Sequence, residues 1–183
     1  MSIVSLTDTV IPPSKPLEPG DLALWTEIQR NIGVSLPDDY RDFGLVYGTG
    51  FFGDADRTRI YVLNPFSKEY LERFHSMCET LRHMKEVSSD EVPYDIFPLM
   101  PGLLPWGRDD NGFRLCWLTE GNPNEWPVVV THGRDIYFDR HETTMTFFLA
   151  RSFRRQIDTV AWSDPVFFSE PGRLLFTASD EYF

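Results

Sequence analysis

The sequence predicts an α+β fold: a single domain in which helices pack against a mixed, antiparallel-rich β-sheet. Two observations lead to this prediction. In the first half of the chain, apolar residues recur at spacings of three and four, which is helical periodicity. In the second half they alternate within short runs separated by turn residues, which is typical of hairpin strands. Helices followed by hairpins indicate an α+β domain and not alternating βαβ units.

The helices of the first half are marked by their ends. Leu22, Trp25 and Ile28 share one face of a helix over Gly20–Ile32, which Gly33 stops. The next helix is predicted over Pro37–Tyr47, because proline and carboxylates favour a first turn. Leu36 and Pro37 mark the start of this helix, Tyr40 lies on its apolar side, and Gly48 and Gly50 form the turn that follows it.

The remaining elements follow from the same periodicities. We expect a strand over Thr58–Leu63 and a long helix from Ser67 to about Val87. Gly112 supplies a turn before a strand over Phe113–Leu118, in which Trp117 alternates as a core residue. Further elements are strands over Trp126–His132 and Asp135–Phe138 and a helix over Met145–Ile157.

The sequence predicts that the chain consists of a leader, a single domain and a C-terminal extension. Residues 1–18 are predicted to be a loose leader because four prolines lie between positions 12 and 19. Residues 19–159 form the domain. Residues 160–183 form a C-terminal extension that packs on the domain, and its apolar runs Val166–Phe168 and Leu174–Phe176 could make a short hairpin.

The charge of the chain excludes several functions. With 17 Lys and Arg against 28 Asp and Glu, the net charge is -11. Such a chain repels nucleic-acid phosphates and anionic lipid surfaces, so we expect neither partner.

Two cysteines are too few for a disulfide framework, and no apolar run reaches the roughly 20 residues of a membrane span. A cytoplasmic location fits best.

No motif for a phosphate loop, a dinucleotide fold, a nucleophile elbow or a zinc helix occurs in the chain. The best metal candidate, His75 with Cys78 and His83, fails because Cys78 lies on an apolar stripe. Cys116 beside His132 fails as a nucleophile because it lies in an apolar strand. Arg151, Arg154 and Arg155 are best interpreted as a solvated helix face. We therefore expect no catalytic residue, no metal and no cofactor.

Four sequence segments nevertheless occur in an order that resembles a known protein superfamily. They are LPDDYRDFGLVYGTG at Leu36–Gly50, LLPWGRDDNGFRLCWLTEG at Leu103–Gly121, PVVVTHGRD at Pro127–Asp135 and MTFFLARSF at Met145–Phe153. Together they resemble the SUKH superfamily over roughly residues 20–157. That superfamily includes fungal cell-wall-synthesis regulators and bacterial toxin immunity proteins. The shared positions mostly build the fold, so no contact residue can be transferred.

The resemblance implies a non-catalytic protein-binding domain. Its leading form is an immunity protein that neutralises a cognate polymorphic or contact-dependent toxin, for which a nuclease is one candidate. The alternative is an intracellular scaffold or signalling regulator of the cell-wall-synthesis-regulator type. A protein partner is expected in both cases. The oligomeric state stays open, with a monomer slightly favoured.

Acidic and aromatic residues in predicted loops are the candidates for partner binding. Acidic loops would match the basic cleft of a toxin that handles nucleic acid, and tryptophans often anchor interfaces. The main surface is predicted at Trp106, Asp109, Asp110, Asn111, Glu120, Glu125 and Trp126. Asp54 and Asp56, beside the glycine turn, form a second predicted patch.

Overall fold

The computed structural model describes residues 2–53, 58–134, 136–162 and 174–180. Within these ranges the helices are α1 (Ser2–Thr7), α2 (Leu22–Ile32), α3 (Asp38–Val46), α4 (Tyr70–Val87) and α5 (Met145–Phe153). The strands are β1 (Gly50–Phe52), β2 (Ile60–Val62), β3 (Asp95–Ile96), β4 (Gly102–Asp109), β5 (Phe113–Leu118), β6 (Val128–His132), β7 (Tyr137–His141) and β8 (Phe176–Ala178). Short 3₁₀ helices cover Pro123–Glu125 and Val160–Trp162.

The strands form one sheet in the order β7-β6-β5-β4-β2-β1-β8. Neighbours along this order are antiparallel. Strand β3 lies parallel to the start of β4, with Asp95 beside Gly102. The predicted α+β fold with a mixed, antiparallel-rich sheet is confirmed.

Both faces of the central strands are buried. On the first face, Trp117 and Val130 belong to a large core shared with α2, α3 and α5. On the second face, Cys116 and Val129 belong to a smaller core with Leu81 of α4. Because successive residues of a strand point to opposite faces, β5 and β6 bury most of their side chains.

Helix α3 lies where its end signals predict it. The stretch Asp38–Val46 falls within the predicted Pro37–Tyr47. Tyr40 and Phe43 on its inner side are fully buried. The Tyr40 hydroxyl donates to the carbonyl of Leu63 just beyond β2, which fixes the helix against the sheet.

The glycines after α3 allow two close backbone approaches. Gly48 has φ +68°, and a Cβ there would lie 2.1 Å from the carbonyl oxygen of Leu17. The same carbonyl accepts the Thr49 amide at 2.9 Å. At Gly50 a Cβ would lie 2.2 Å from the carbonyl oxygen of Thr177 in β8. Both positions therefore exclude larger residues.

The N-terminal residues are packed, so the expectation of a loose leader is wrong for residues 2–18. Helix α1 contacts α5 and α3, and Leu6 and Val10 are fully buried. The Tyr47 hydroxyl donates to the Val10 carbonyl at 2.6 Å. The prolines come after α1, so their missing amide donors do not interrupt it.

The described part of the C-terminal extension adds strand β8 beside β1. Phe176 lies opposite Phe52, and its ring centroid is 5.0 Å from those of Phe52 and Tyr47. The other run of the expected hairpin, Val166–Phe168, lies outside the described residues.

Two predicted boundaries differ from the structure. Helix α5 ends at Phe153, before the predicted Ile157, and Arg155 takes a left-handed φ of +57°. Strand β7 runs Tyr137–His141 because it pairs along the whole of β6, a long-range constraint that local alternation does not show.

Candidate functional site

The three sheet-side tryptophans form part of the core. Trp106 lies in β4, and Trp106, Trp117 and Trp126 are at most 1% exposed. The Trp117 ring centroid lies 5.8 Å from that of Trp106 and 6.3 Å from that of Trp126. The prediction that Trp106 and Trp126 edge a recognition surface is therefore wrong. Neighbouring Gly, Pro and Asn suggested loops, but pairing of β4 with both β5 and β2 buries Trp106.

Asp109 is also buried, which corrects its predicted place on the surface. It is 2% exposed, and its Oδ1 accepts the amides of Asn111 at 3.0 Å and Phe113 at 2.9 Å. These bonds close the β4–β5 turn, in which Gly112 has φ +95°. Burial raises the pKa of Asp109 to about 6, although its backbone hydrogen bonds and the Trp162 side chain lower it. Asp109 holds the turn together.

Asp110 and Asn111 are exposed at the tip of the same turn. Asp110 accepts the amide of Arg59 at 3.1 Å, and the Asn111 amide group donates to the Thr58 hydroxyl at 3.3 Å. These contacts tie the turn to the segment that enters β2. The second predicted patch, Asp54 and Asp56, lies outside the described residues.

Glu120 and Glu125 lie at the other end of β5 from Asp110 and Asn111. Glu120 follows the end of β5, and Glu125 belongs to the 3₁₀ helix before β6. The predicted surface is thus divided into two separate ends of the sheet. Positions that are close in a hairpin sequence are separated here by the length of the strand.

The end that holds Glu120 and Glu125 carries further carboxylates. Arg140 pairs with both Glu120 and Glu142, whose side chains are 40% and 71% exposed. Asn124 accepts the amide of Asp38 at 2.7 Å and donates to its carboxylate at 3.0 Å. The first contacts join Glu120 to Glu142, and the second place Asp38 beside the 3₁₀ helix that holds Glu125. We call these four carboxylates the acidic surface.

Two exposed apolar residues lie beside the acidic surface. Leu99 and Met100 are 62% and 51% exposed in the connection from β3 to β4. This connection leads into Gly102, whose amide donates to the Thr119 hydroxyl at 2.9 Å, next to Glu120. Neither residue is among the predicted binding residues, although the run Phe97–Pro101 places them between two prolines in a turn.

The groups considered for chemistry are dispersed or buried. Cys78 and Cys116 are at most 1% exposed, and burial raises the pKa of both thiols, that of Cys78 to about 12. His75 and His83 lie on the exposed side of α4. In the described ranges, no three His, Cys, Asp or Glu side chains are placed to hold a metal ion. None of the helices described has the length and hydropathy needed to span a bilayer.

The comparisons with known proteins identify the family. No curated protein and no solved structure matches the chain. The family model described as SMI1 / KNR4 family (SUKH-1) matches residues 19–158. This range contains α2 to α5 and β1 to β7, the elements that carry the four sequence segments of the SUKH resemblance. The chain therefore belongs to the SMI1 / KNR4 family (SUKH-1).

Proposed function

We propose that this chain is a non-catalytic immunity protein that binds a cognate bacterial toxin and blocks it in the cytoplasm. Its membership of a SUKH family, which includes toxin immunity proteins, is the observation that supports this function. The burial of both cysteines also supports binding over thiol catalysis, since a reactive cysteine needs an accessible thiolate.

The acidic surface is the site we assign to the toxin. Leu99 and Met100 provide exposed apolar area in the connection to Gly102, whose amide donates to the Thr119 hydroxyl, next in the chain to Glu120. Interfaces commonly combine an apolar centre with a polar rim. The two apolar side chains replace the buried tryptophans as the candidate anchors.

A toxin that acts on nucleic acid is the target class that best fits this surface. Such an enzyme needs a basic cleft to hold phosphates. A protein of net charge -11 with carboxylates at the contact would associate with that cleft rapidly and cover it. The same charge disfavours nucleic acid as a direct ligand of this chain.

Co-expression with the product of the neighbouring gene tests the proposal. The readouts are survival of the host and copurification of the two chains. We expect the wild type to protect the host. The double variant Glu125→Lys with Glu142→Lys, and separately Met100→Asp, should bind the toxin at least about tenfold more weakly.

A matched pair of reversals on exposed helix positions provides the control. Glu27 in α2 and Glu79 in α4 are exposed and lie outside the acidic surface. Glu27→Lys with Glu79→Lys changes the net charge by the same amount and should leave protection intact. Equal loss in both double variants would reject the acidic surface, and a harmless or unbound neighbour would reject immunity for that pair.

The second candidate is an intracellular scaffold or signalling regulator. It rests on the same family membership, since the superfamily also includes cell-wall-synthesis regulators. A pull-down from native lysate separates the two functions. Several substoichiometric partners would favour the scaffold, whereas one stoichiometric partner encoded next to the chain would favour immunity.

A further inference from the structure

Strand β7 is an open edge of the sheet. It stands first in the strand order, and within the described ranges β6 is the strand that pairs with it. An edge strand presents a row of backbone N–H and C=O groups that have no partner in the sheet. A further strand can join the sheet at such an edge through these groups.

The register shows which backbone groups of β7 point away from the sheet. Just before β6, the Pro127 carbonyl accepts the Leu118 amide at 3.0 Å, so this pair bonds across β5 and β6. Backbone groups point to alternating sides along a strand, so those of Thr131 also face β5. Phe138 lies opposite Thr131 and therefore forms a pair without hydrogen bonds to β6. The N–H and C=O groups of Phe138, and of Arg140 two residues later, point outward.

The charged side chains of β7 are paired within the chain. The Arg140 guanidinium pairs with Glu120 and Glu142. Asp139 Oδ2 lies 2.9 Å from the Nε2 atom of His141. Edge strands are commonly protected from association by proline or by charged side chains. Strand β7 contains no proline, and these internal pairs reduce the repulsion that its charges would exert on a further strand.

The sequence of β7 is complementary to a second copy of itself in one register. When two copies of a strand pair about a two-fold axis, the residue at the axis faces its own image. An axis at Asp139 or Arg140 would place like charges opposite each other, which destabilises a sheet. An axis at either end of β7 would pair too few of its residues.

An axis at Phe138 avoids both problems. It places the two Phe138 rings opposite each other, and aromatic pairs stabilise antiparallel strands. It also places Tyr137 opposite Asp139 of the second copy, twice, so that a hydroxyl can donate to a carboxylate. On the other side of the strand, Arg140 faces Ile136 of the second copy.

We propose that two copies of this chain join through β7 into one continuous antiparallel sheet, with the two-fold axis at Phe138. The outward backbone groups of Phe138 bond to those of its image, and those of Arg140 bond to residue 136 of the second copy. Such a contact uses the same strand in both copies, so the assembly ends at a dimer. The sequence analysis slightly favours a monomer, whereas the open edge and its self-complementary register favour the dimer.

This inference goes beyond the proposed function. The contact involves residues 136–140, and the four carboxylates of the acidic surface lie outside this stretch. Dimerisation is measured with this chain alone, whereas immunity is measured with the toxin. Failure of one proposal therefore leaves the other standing.

Sedimentation velocity of the full chain, from about 1 μM to about 300 μM, tests the proposal. We expect a monomer–dimer equilibrium with a dissociation constant in the micromolar range, because the contact is a single pair of short strands. Added salt should strengthen the dimer, since it screens the repulsion between two chains of net charge -11. Binding of a basic toxin to the acidic surface should respond to salt in the opposite direction. A monomer at every concentration would overturn the proposal.

A proline at the outward position tests the strand pairing. Arg140→Pro removes the outward N–H and should weaken the dimer at least about tenfold. Proline is tolerated at edge positions whose N–H faces outward, so the fold should persist. The matched control Arg140→Ala loses the same guanidinium but keeps the amide, and it should weaken the dimer by less than about threefold. Equal weakening by the two variants, or a dimer that Arg140→Pro leaves intact, would overturn the pairing.

A charge swap tests the position of the axis. Phe138→Lys and Phe138→Glu each place like charges opposite each other, so each variant alone should be monomeric. An equimolar mixture should form a mixed dimer, because unlike charges then face each other. The Phe138 ring centroid lies 5.5 Å from that of Tyr94, so circular dichroism should verify that both variants fold, and Arg140→Pro is the second test if they do not. Absence of a mixed dimer from folded variants would overturn the axis at Phe138.

Amide hydrogen exchange followed by NMR identifies the contact directly. The amides of Phe138 and Arg140 should exchange at least about tenfold more slowly in the dimer than in dilute monomer. The Asp139 amide faces β6 and should be protected at both concentrations. A dimer in which Phe138 and Arg140 stay unprotected would overturn the proposal. Protection that requires a different protein would overturn the second copy in favour of a partner strand.

Discussion

The carboxylate of Asp39 caps a helix that begins more than a hundred residues later in the chain. Its Oδ2 accepts the backbone amide of Thr146 at 2.9 Å and the Thr146 hydroxyl at 3.0 Å. Thr146 lies in the first turn of α5, where backbone N–H groups lack helical partners and negative charge is favoured. This contact joins α3 to α5 on the first face of the sheet.

Removal of that cap should destabilise the protein. Asp39→Ala leaves a buried amide and a buried hydroxyl without their acceptor, so we expect a loss of about 2–4 kcal/mol in the free energy of unfolding. Asp39→Asn keeps an acceptor oxygen and should lose less. Urea unfolding measures both. Asp42→Ala, in a partly exposed pair with Arg41, is the control and should cost less than about 1 kcal/mol. A similar small loss for Asp39→Ala would show that the cap contributes little.

Stability should depend on pH through Asp109. Its pKa is raised from 3.8 to about 6 in the folded chain, so the folded state binds more protons between these values. Stability from this group is therefore present at low pH and falls, on the order of 3 kcal/mol, as pH rises through about 6. In Asp109→Asn this decline should vanish, since Asn keeps an oxygen for the two amides. Urea unfolding between pH of about 4 and 7 measures the difference; parallel curves for the two proteins would contradict it.

The sequence predicts the elements whose signals are local. Helix α3 follows from Leu36, Pro37 and the glycines after it, all within one short stretch. The burial of Trp106 depends on pairing of β4 with two other strands, and local turn residues conceal it. Helix α1 escapes prediction because it is short and is held by distant partners such as Tyr47.

The candidate site was predictable in its chemistry but only partly in its geometry. Glu120 and Glu125 are acids in loops, as their turn residues indicate, and Glu125 is exposed whereas Glu120 is partly buried. Their separation from Asp110 requires the register and length of β5, which a list of loop residues does not contain. The open edge of β7 is likewise visible only once the strand order is known.

Both cysteines should be inert in the folded protein. Cys78 and Cys116 are at most 1% exposed, and burial raises the pKa of each thiol. We expect no reaction with Ellman's reagent at neutral pH and reaction of both thiols in denaturant. Ser89→Cys, at an exposed position after α4, supplies a reactive control. Rapid modification of the native wild type would show that one of the buried cysteines becomes accessible.

Two glycine substitutions should separate backbone strain from a steric clash. Gly33 and Gly48 both have positive φ, +85° and +68°. A Cβ at Gly33 meets nothing within 4 Å, whereas one at Gly48 would lie 2.1 Å from the Leu17 carbonyl oxygen. Gly33→Ala should therefore cost only about 1 kcal/mol of strain.

Gly48→Ala should cost at least about 2 kcal/mol more in the free energy of unfolding, because the N-terminal segment must move away from β1. That movement should also expose the segment around Leu17, so faster proteolysis there is a second readout that Gly33→Ala should not share. Equal losses for the two variants would mean that the contact between Leu17 and Gly48 does not constrain the fold. A larger loss at Gly48 would show that residues 2–18 are an integral layer of the domain, since a loose leader would yield to the added methyl group without cost.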